Sequence, residues 1–406
     1  MKLLTTKLLN MLAAIAAAAG VAACGGGGDS TGAAAGTGTL SIALTDNPCD
    51  HRAVHVTIEK LRVHRSGDAA ESDAGWRDLA LSLPADRRRV DLLTLQNGLL
   101  LPLGDVSLDA GSYTQLRLVL AQNTASTPLA NAVTLANGTT VPLTTPSAQR
   151  SGIKLIHPFT VEPNQIAELT LDFDACKSIV RAGNSGQYHL KPTIAVVPML
   201  DVGRIAGFAR PGARVSAQIA AAGRSPVVVK STTAASNGAF ALAPLPLPAP
   251  GATYTVVASA ADVASAVIKG VPVTRQNTTV VSNAIADLPA DQSQVSQMDG
   301  TVLPAGLDGA AARALQRIDS AGVEVEVAAV NADATTGAFT LTVPRNAPRV
   351  ATHPAPTTGT PATTFPAFGD SAGKYVVEAV AGTLSKRSAQ ITLTAPLYDG
   401  PDLTLP

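Results

Sequence analysis

The chain has 406 residues and 30 basic and 30 acidic side chains, so its formal net charge is zero. A neutral chain has no long-range field that attracts a polyanion or an acidic surface, which argues against nucleic acid as a partner. Aromatic residues make up only 3%, while 34 Gly and 28 Pro residues divide the apolar segments. This composition is typical of short strands joined by turns, and an all-β protein is predicted.

The first segment has the pattern of a secretory leader. Lys2 and Lys7 precede an apolar run over residues 11–23 that ends in small residues, as a positive n-region followed by a short h-region should. Val21-Ala22-Ala23-Cys24 resembles the bacterial lipobox. That resemblance implies a signal helix within residues 1–23, cleavage before Cys24, a diacylglycerol on its thiol and an acyl chain such as palmitate on its new amino group. The alternatives are an ordinary export signal or a short buried helix.

Lipidation at Cys24 predicts that the protein is anchored to a membrane. Several acyl chains on one residue anchor a protein that a single chain would not hold. Residues 24–38 are rich in Gly, Ala, Ser and Thr with one acid, which predicts a flexible tether. Gly25 instead of Asp follows the cysteine, which resembles outer-membrane retention in the enterobacterial sorting rule. Beyond the leader, no apolar run approaches the roughly 20 residues of a membrane span.

Alternation with period two begins at Thr39 and predicts strands. The apolar phase holds through Val54, Val56 and Ile58 and then shifts to Leu61 and Val63, which predicts a β-bulge near Lys60. Further strands are predicted at residues 90–93, 113–120, 153–159 and 166–173. Turn signals such as Asn97-Gly98 separate them, and the spacing fits a β-sandwich.

Several motifs of this segment occur together in one order. They are Leu44-Thr45-Asp46 with Pro48, Asp91-Leu92-Leu93, Gly111-Ser112-Tyr113 with Arg117, Gly152-Ile153-Lys154, Asp172-Phe173-Asp174, Lys177-Ser178-Ile179-Val180 and Tyr188-His189-Leu190-Lys191-Pro192. The set resembles the bacterial lipoprotein domain of unknown function 4382. The resemblance covers about Thr39 to Val197 and implies a lipid-anchored β-domain without an assigned activity.

The remainder of the chain contains an internal repeat. Asn237-Gly238-Ala239-Phe240 recurs about 100 residues later as Thr336-Gly337-Ala338-Phe339, and Tyr254-Thr255-Val256 recurs after it as Tyr375-Val376-Val377. Each copy resembles the carboxypeptidase regulatory-like, prealbumin-type sandwich. Two such modules are predicted, at residues 203–286 and 296–406, the second with a Pro/Thr-rich insertion over 344–373 that is expected to be a loop.

The two cysteines beyond Cys24 are candidates for a disulfide. Cys49 and Cys176 form an even pair in an oxidising compartment, so a bridge between them is predicted. The alternative is two unrelated buried thiols.

The candidate site is acidic. Asp172 and Asp174 would lie on the outer face of a strand, and the proposed bridge would bring Asp46 and Asp50 near them. Such oxygen ligands predict a calcium site, since calcium takes six to eight of them. The alternative is a solvated strand face with turn-capping carboxylates. No nucleophile elbow, phosphate loop or dinucleotide fingerprint occurs in the sequence, so no catalytic residue and no cofactor other than calcium is assigned.

The predicted protein is a lipid-anchored component of the bacterial cell envelope. We expect an N-terminal β-sandwich at residues 39–197 and two prealbumin-like sandwiches, which together bind an envelope protein or glycan or have a structural role without catalysis. One alternative is a glycan hydrolase with Asp172 or Asp174 as acid or base, because neighbours on one strand face lie about 7 Å apart. The other is a passive spacer that presents a partner away from the membrane.

Overall fold

The computed structural model describes residues 36–49, 51–145, 152–354 and 364–406. Within these ranges the chain is built almost entirely of strands, which form six sheets, so the predicted all-β class is confirmed. The predicted signal helix, Cys24 and most of the predicted tether lie outside the described residues. No helix of the described ranges has the length and apolar character of a membrane span.

The N-terminal sandwich contains fourteen strands and one short helix. The strands are β1 Thr37–Asp46, β2 Ala53–His64, β3 Arg77–Asp78, β4 Ala80–Leu81, β5 Arg89–Asp91, β6 Leu101–Asp109, β7 Gly111–Leu120, β8 Ala132–Thr134, β9 Thr140–Thr144, β10 Ile153–Val161, β11 Ile166–Phe173, β12 Ile179–Ala182, β13 Gln187–Leu190 and β14 Ile194–Pro198, and the helix is α1 Ala175–Ser178. Short 3-10 helices lie at Ala85–Arg87, Leu92–Thr94, Gly183–Ser185 and Met199–Asp201.

Two sheets pack face to face in this sandwich. One has the order β14-β11-β1-β6-β4, and the other has the order β10-β7-β2-β8-β9-β13-β12, with β3 and β5 also paired to β2. Alternating apolar residues of β1 and β2 fill the core between the sheets, because successive side chains of a strand point to opposite faces. The predicted bulge is present, as a shift in the β2–β7 register between Ile58 and Lys60.

Two predicted boundaries of this sandwich differ from the structure. β1 begins at Thr37, inside the predicted tether, because residues 37 and 38 pair with Asp109 and Leu108. Gly38 fits there because a Cβ would collide with the carbonyl oxygen of Glu162. The predicted strand at 90–93 ends at Asp91, whose carboxylate accepts a hydrogen bond from the Leu93 N–H at 3.2 Å and starts a 3-10 turn.

Two further sandwiches follow, which we call the middle and the C-terminal sandwich. The middle one contains β15 Val202–Phe208, β16 Arg214–Ile219, β17 Val227–Thr233, β18 Ala239–Pro246, β19 Tyr254–Ala260, β20 Val263–Val271 and β21 Thr278–Val280. The C-terminal one contains β22 Val295–Leu303, β23 Ala311–Arg317, β24 Glu324–Asn331, β25 Ala338–Pro344, β26 Arg349–Thr352, β27 Lys374–Ala381, β28 Leu384–Arg387, β29 Ile391–Thr392 and β30 Leu397–Thr404. Short 3-10 helices lie at Ile285–Asp287 and Gly369–Ser371.

These two sandwiches share one strand order. β18-β15-β21 faces β17-β16-β19-β20 in the middle sandwich, and β25-β22-β30 faces β24-β23-β27-β28 in the C-terminal one. The repeated tyrosines are equivalent, because the buried Tyr254 and Tyr375 donate hydrogen bonds to the Pro246 and Pro344 carbonyls at 2.8 and 2.7 Å. The repeated turn glycines, Gly238 and Gly337, both have positive φ, at 82° and 72°.

The insertion of the C-terminal sandwich is not only a loop. Its β26 strand pairs in parallel with β20 and extends the middle sheet. Residues 355–363 of the insertion lie outside the described residues.

Candidate functional site

The predicted acidic residues lie at one end of the N-terminal sandwich. β1 and β11 pair in parallel, with Thr45 opposite Asp172 and Asp46 opposite Phe173. Parallel pairing thus brings Asp46, Asp172 and Asp174 to the same edge, because both strands end there. Asp50 lies outside the described residues.

Asp172 is covered by the middle sandwich. Its carboxylate accepts a hydrogen bond at 2.6 Å from Nζ of Lys230 on β17, and the two side chains are only 6% and 2% exposed. Burial raises the pKa of Asp172, while the Lys230 charge opposes that rise. The expectation of a solvated strand face at Asp172 is therefore wrong, since another sandwich packs on that face.

Asp46 is a buried carboxyl beside this ion pair. One of its oxygens accepts a hydrogen bond from the Ala175 N–H at 2.9 Å, and its Oδ2 has no hydrogen-bond partner among the described residues. Its backbone carbonyl lies 3.4 Å from Nζ of Lys230. Burial raises the pKa of Asp46 well above its ordinary value, and the nearby Asp174 charge adds to the rise, so the neutral acid is favoured.

Asp174 has a local structural role. It is the N-cap of α1, where its side chain accepts a hydrogen bond from the Lys177 N–H at 3.0 Å. The Lys177 ammonium also forms an ion pair with it at 2.7 Å. Capping carboxylates satisfy backbone donors that a helix leaves free, so the alternative of a turn-capping carboxylate describes Asp174.

Two asparagines complete the contact with the middle sandwich. Asn47 accepts a hydrogen bond from the Ser231 N–H at 3.2 Å. Asn97 accepts from the Thr232 hydroxyl at 2.9 Å and from the Ala241 N–H at 3.1 Å, and it has a left-handed φ of 59°. We call the contact made by Asp172, Lys230, Asn47 and Asn97 the first interface. Sequence reasoning missed Lys230 and assigned Asn97-Gly98 only to a turn.

The predicted disulfide is absent. The sulphur atoms of Cys49 and Cys176 are not bonded, and both side chains are half-buried. A disulfide needs the two Cβ atoms to face each other at about 3.5 to 4.5 Å. Cys176 instead lies in the helical turn α1, and its carbonyl accepts a hydrogen bond from the Asn331 side chain of the C-terminal sandwich at 2.6 Å.

The described residues contain no cluster of three or more His, Cys, Asp or Glu side chains arranged as a metal site. At Asp172 the position of a cation is already taken by the Lys230 ammonium. Calcium at Asp46, Asp50, Asp172 and Asp174 would have to displace Lys230 and break the Asp174 cap.

A groove of about 600 Å³ lies between the N-terminal and middle sandwiches. Its lining is His157, Val196, Val197, Pro198, Asp201, Pro246, Leu247 and Arg275. Asp201 and Arg275 form an exposed ion pair at 2.5 Å, and burial lowers the pKa of His157. Neither Asp172 nor Asp174 lines the groove, although the hydrolase hypothesis requires a concave pocket around them.

The middle and C-terminal sandwiches meet at a second interface. Glu326 binds Arg214 at 2.9 Å and Arg313 at 3.3 Å, and the Glu378 carboxylate binds Arg313 and the Ser225 hydroxyl. Apolar contact accompanies these charges, since Val257 and Val267 of the middle sandwich join the C-terminal core. The second interface therefore combines ion pairs, apolar packing and the β20–β26 strand pairing.

Comparison with known proteins finds a family for the N-terminal part. Residues 37–192 match the family described as Domain of unknown function (DUF4382), in agreement with the resemblance over Thr39 to Val197. No curated protein matches the chain.

The solved structures that resemble the chain are distant. A Streptococcal ancillary pilin matches with 10% identity and a TM-score of 0.17, covering 91% of this chain and 99% of the pilin. BcpA, the major pilin subunit of Bacillus cereus, matches with 9% identity and a TM-score of 0.13, at 91% and 99% coverage. A leucine-rich repeat protein from Bacteroides thetaiotaomicron VPI-5482 matches with 10% identity and a TM-score of 0.15, and 61% of this chain covers 27% of that protein. At these TM-scores none of the three carries a structural or functional argument.

Proposed function

We propose that the chain is a lipid-anchored protein of the bacterial cell envelope, held at the outer membrane through Cys24. Its three sandwiches act as a binding or structural module, and it has no catalytic activity of its own. The lipobox-like sequence before Cys24 and the match of residues 37–192 to a domain without an assigned reaction support this function.

The first interface carries the non-catalytic part of the proposal. A general acid or base must reach the proton that it transfers, whereas Asp172 is 6% exposed and bound to Lys230. Asp174 caps α1 and binds Lys177. The two carboxylates considered for glycan hydrolysis are therefore both engaged in holding the fold together, which supports a binding or structural role over the hydrolase.

The contacts between the sandwiches support a rigid arrangement, in which the three sandwiches form one body with surfaces at fixed relative positions. Sandwiches joined only by linkers move relative to one another by default. Here the first interface contains the buried hydrogen bond between Lys230 and Asp172, and the second adds a shared strand pairing and apolar packing. Such a body suits a protein that presents a binding surface at a set distance from its anchor.

Membrane fractionation of a Cys24→Ser variant tests the anchor. We expect the wild-type protein in the membrane fraction after a high-salt wash and the variant in the soluble periplasmic fraction. Cys49→Ser is the matched control and should remain with the membrane, because its thiol is not the acylated one. A Cys24→Ser protein that stays with washed membranes would contradict lipid anchoring.

Crosslinking in intact cells separates a binding module from a passive spacer. After purification, mass spectrometry should identify an envelope protein in repeated wild-type samples, or a glycan array should give a specific ligand. An absence of both partner and ligand would favour the spacer.

A further inference from the structure

The Asp172–Lys230 pair combines proximity with exclusion of water. Nζ of Lys230 lies 2.6 Å from Oδ1 of Asp172, and the side chains are 2% and 6% exposed. The partners are 58 residues apart and belong to different sandwiches. The Lys269–Asp319 pair at the second interface is a useful contrast, because its side chains are 3.0 Å apart but 33% and 21% exposed.

We propose that Lys230 and Asp172 condense to an amide that joins the N-terminal and middle sandwiches covalently. Nζ of Lys230 attacks Cγ of Asp172, a C–N bond forms and one C–O bond of the carboxyl breaks. Protons released from the ammonium pass to the departing oxygen, which leaves as water. The step is neither an oxidation nor a reduction and needs no cofactor or second substrate.

Burial favours the reactive form of Asp172. A carboxylate removed from water loses its solvation, so a low-dielectric site shifts it towards the neutral acid. The neutral amine is the nucleophile, and the neutral acid is attacked more readily than the carboxylate. Burial is the main cause that raises the pKa of Asp172, so the site shifts Asp172 towards the neutral acid that the reaction needs.

The two strands hold the reacting atoms together. The carboxyl carbon is one C–O bond beyond an oxygen that lies 2.6 Å from Nζ, so the groups are in contact before reaction. Fixed contact of this kind corresponds to effective molarities of about 10⁵ to 10⁸ M in favourable intramolecular reactions. Exclusion of water also slows the reverse reaction, which is hydrolysis of the amide.

The surrounding charges leave Lys230 with one anionic partner in direct contact. Asp46 also faces Lys230, and burial raises the pKa of Asp46. Asp174 and Lys177 also act on Asp172, with opposite signs, and they are paired with each other. Asp172 is therefore the carboxyl group that Nζ of Lys230 contacts directly.

Tryptic digestion of the denatured full-length protein tests the amide. Trypsin cleaves after a free lysine but not after an acylated one. Without the amide, the digest yields the separate peptides 155–177, 225–230 and 231–269. With the amide, peptide 155–177 is joined to peptide 225–269, which trypsin does not cleave after Lys230. The mass of this branched product equals the summed masses of peptides 155–177 and 225–269 minus one water.

We expect the branched peptide in wild-type protein and fragmentation that places the link at Asp172 and Lys230. Cleavage after Lys269 in the same digest is the internal control, because its ion pair is open to water. Lys230→Arg keeps the cation and should give only separate peptides, because arginine remains protonated. Complete cleavage after Lys230 in the wild-type protein, with no branched peptide, would overturn the proposal.

Discussion

The first and second interfaces bury charge in different ways. The first interface places one lysine against one carboxylate, with both side chains almost fully removed from water. The second distributes two glutamates over two arginines that are 31% and 15% exposed, and adds apolar packing and strand pairing. The first interface thus has a single charged pair beside the Asn47 and Asn97 hydrogen bonds, whereas the second has several charged contacts.

The two interfaces should tolerate loss of a charged partner to different degrees. A buried charge without its counter-ion costs much more than a pair at the surface. Glu326 keeps Arg214 when Arg313 is removed, and Glu378 keeps Ser225. Asp172 has no second basic side chain in hydrogen-bond contact within the described ranges, so the first interface should be the more sensitive of the two.

Lys230→Met should cause the largest loss of stability. The substitution leaves Asp172 buried without its cation, and such a change costs about 3 to 5 kcal/mol of unfolding free energy. Urea unfolding followed by circular dichroism measures the change.

A second variant shows whether the uncompensated charge is the cause. Asp172→Leu combined with Lys230→Met replaces the pair by apolar side chains, and it should recover the part of the loss that comes from the charge. Lys269→Met is the matched control, because the more exposed Lys269–Asp319 pair should contribute less than about 1 kcal/mol. Equal losses in Lys230→Met and Lys269→Met would show that the two interfaces do not differ as described.

Arg313→Ala should have an intermediate effect. It removes one partner from Glu326 and one from Glu378, but Arg214 and Ser225 remain. Partial loss of these buried hydrogen bonds should lower the unfolding free energy by about 1 to 3 kcal/mol. Arg317→Ala on the same strand is the control, because its ion pair with Asp370 is long, at 3.9 Å, and exposed, and it should cost up to about 1 kcal/mol. A larger loss for Arg313→Ala than for Lys230→Met would reverse the ranking of the interfaces.

The sequence predicts those features that depend on near neighbours. Period-two alternation identifies the core side of β1, and a phase shift locates the bulge at Lys60. Recurrence of a glycine turn and a tyrosine identifies two segments whose strand order proves to be the same. Each of these signals lies within one strand, one turn or one repeat, which is why a single sequence contains it.

Contacts between distant segments could not be predicted in the same way. Alternation shows that Asp172 points away from its own core, but not that β17 covers it. The even number of cysteines suggested a bridge, yet Cys176 lies in a helical turn that Asp174 caps and that Asn331 of another sandwich contacts. Lys230 has no local pattern that distinguishes it from an exposed lysine, and only the packing of two sandwiches assigns its role.

Asp46→Asn should change how stability depends on pH. Because burial raises the pKa of Asp46 above its ordinary value of 3.8, the folded protein keeps a proton that the unfolded chain loses. Wild-type stability therefore falls as pH rises from about 4 to the folded pKa, by at most about 1.4 kcal/mol per pH unit. The variant lacks this titration, so its stability relative to the wild type should increase across that window.

Urea unfolding at intervals from pH 4 to pH 8 measures this effect. Asp262→Asn is the control of opposite sign, because the hydrogen bond from Arg210 lowers the pKa of Asp262. Its carboxylate stabilises the fold above the unfolded pKa and loses that contribution as pH falls, so Asp262→Asn should not gain stability at high pH. A difference between Asp46→Asn and the wild type that does not change with pH would contradict a neutral, buried Asp46.

Asp174→Ala should have the smallest effect of the four and distinguishes a cap from a catalytic group. Loss of an N-cap acceptor costs about 1 kcal/mol of unfolding free energy, and the ion pair with Lys177, whose side chain is 53% exposed, adds little. Asp174→Asn keeps an oxygen for the Lys177 N–H and should cost less than the alanine substitution. An amide can cap a helix but cannot transfer a proton as a carboxylic acid does. A cellular phenotype that follows measured stability would agree with capping, whereas equal loss of function in a stable Asp174→Asn protein would require a chemical role for the carboxylate.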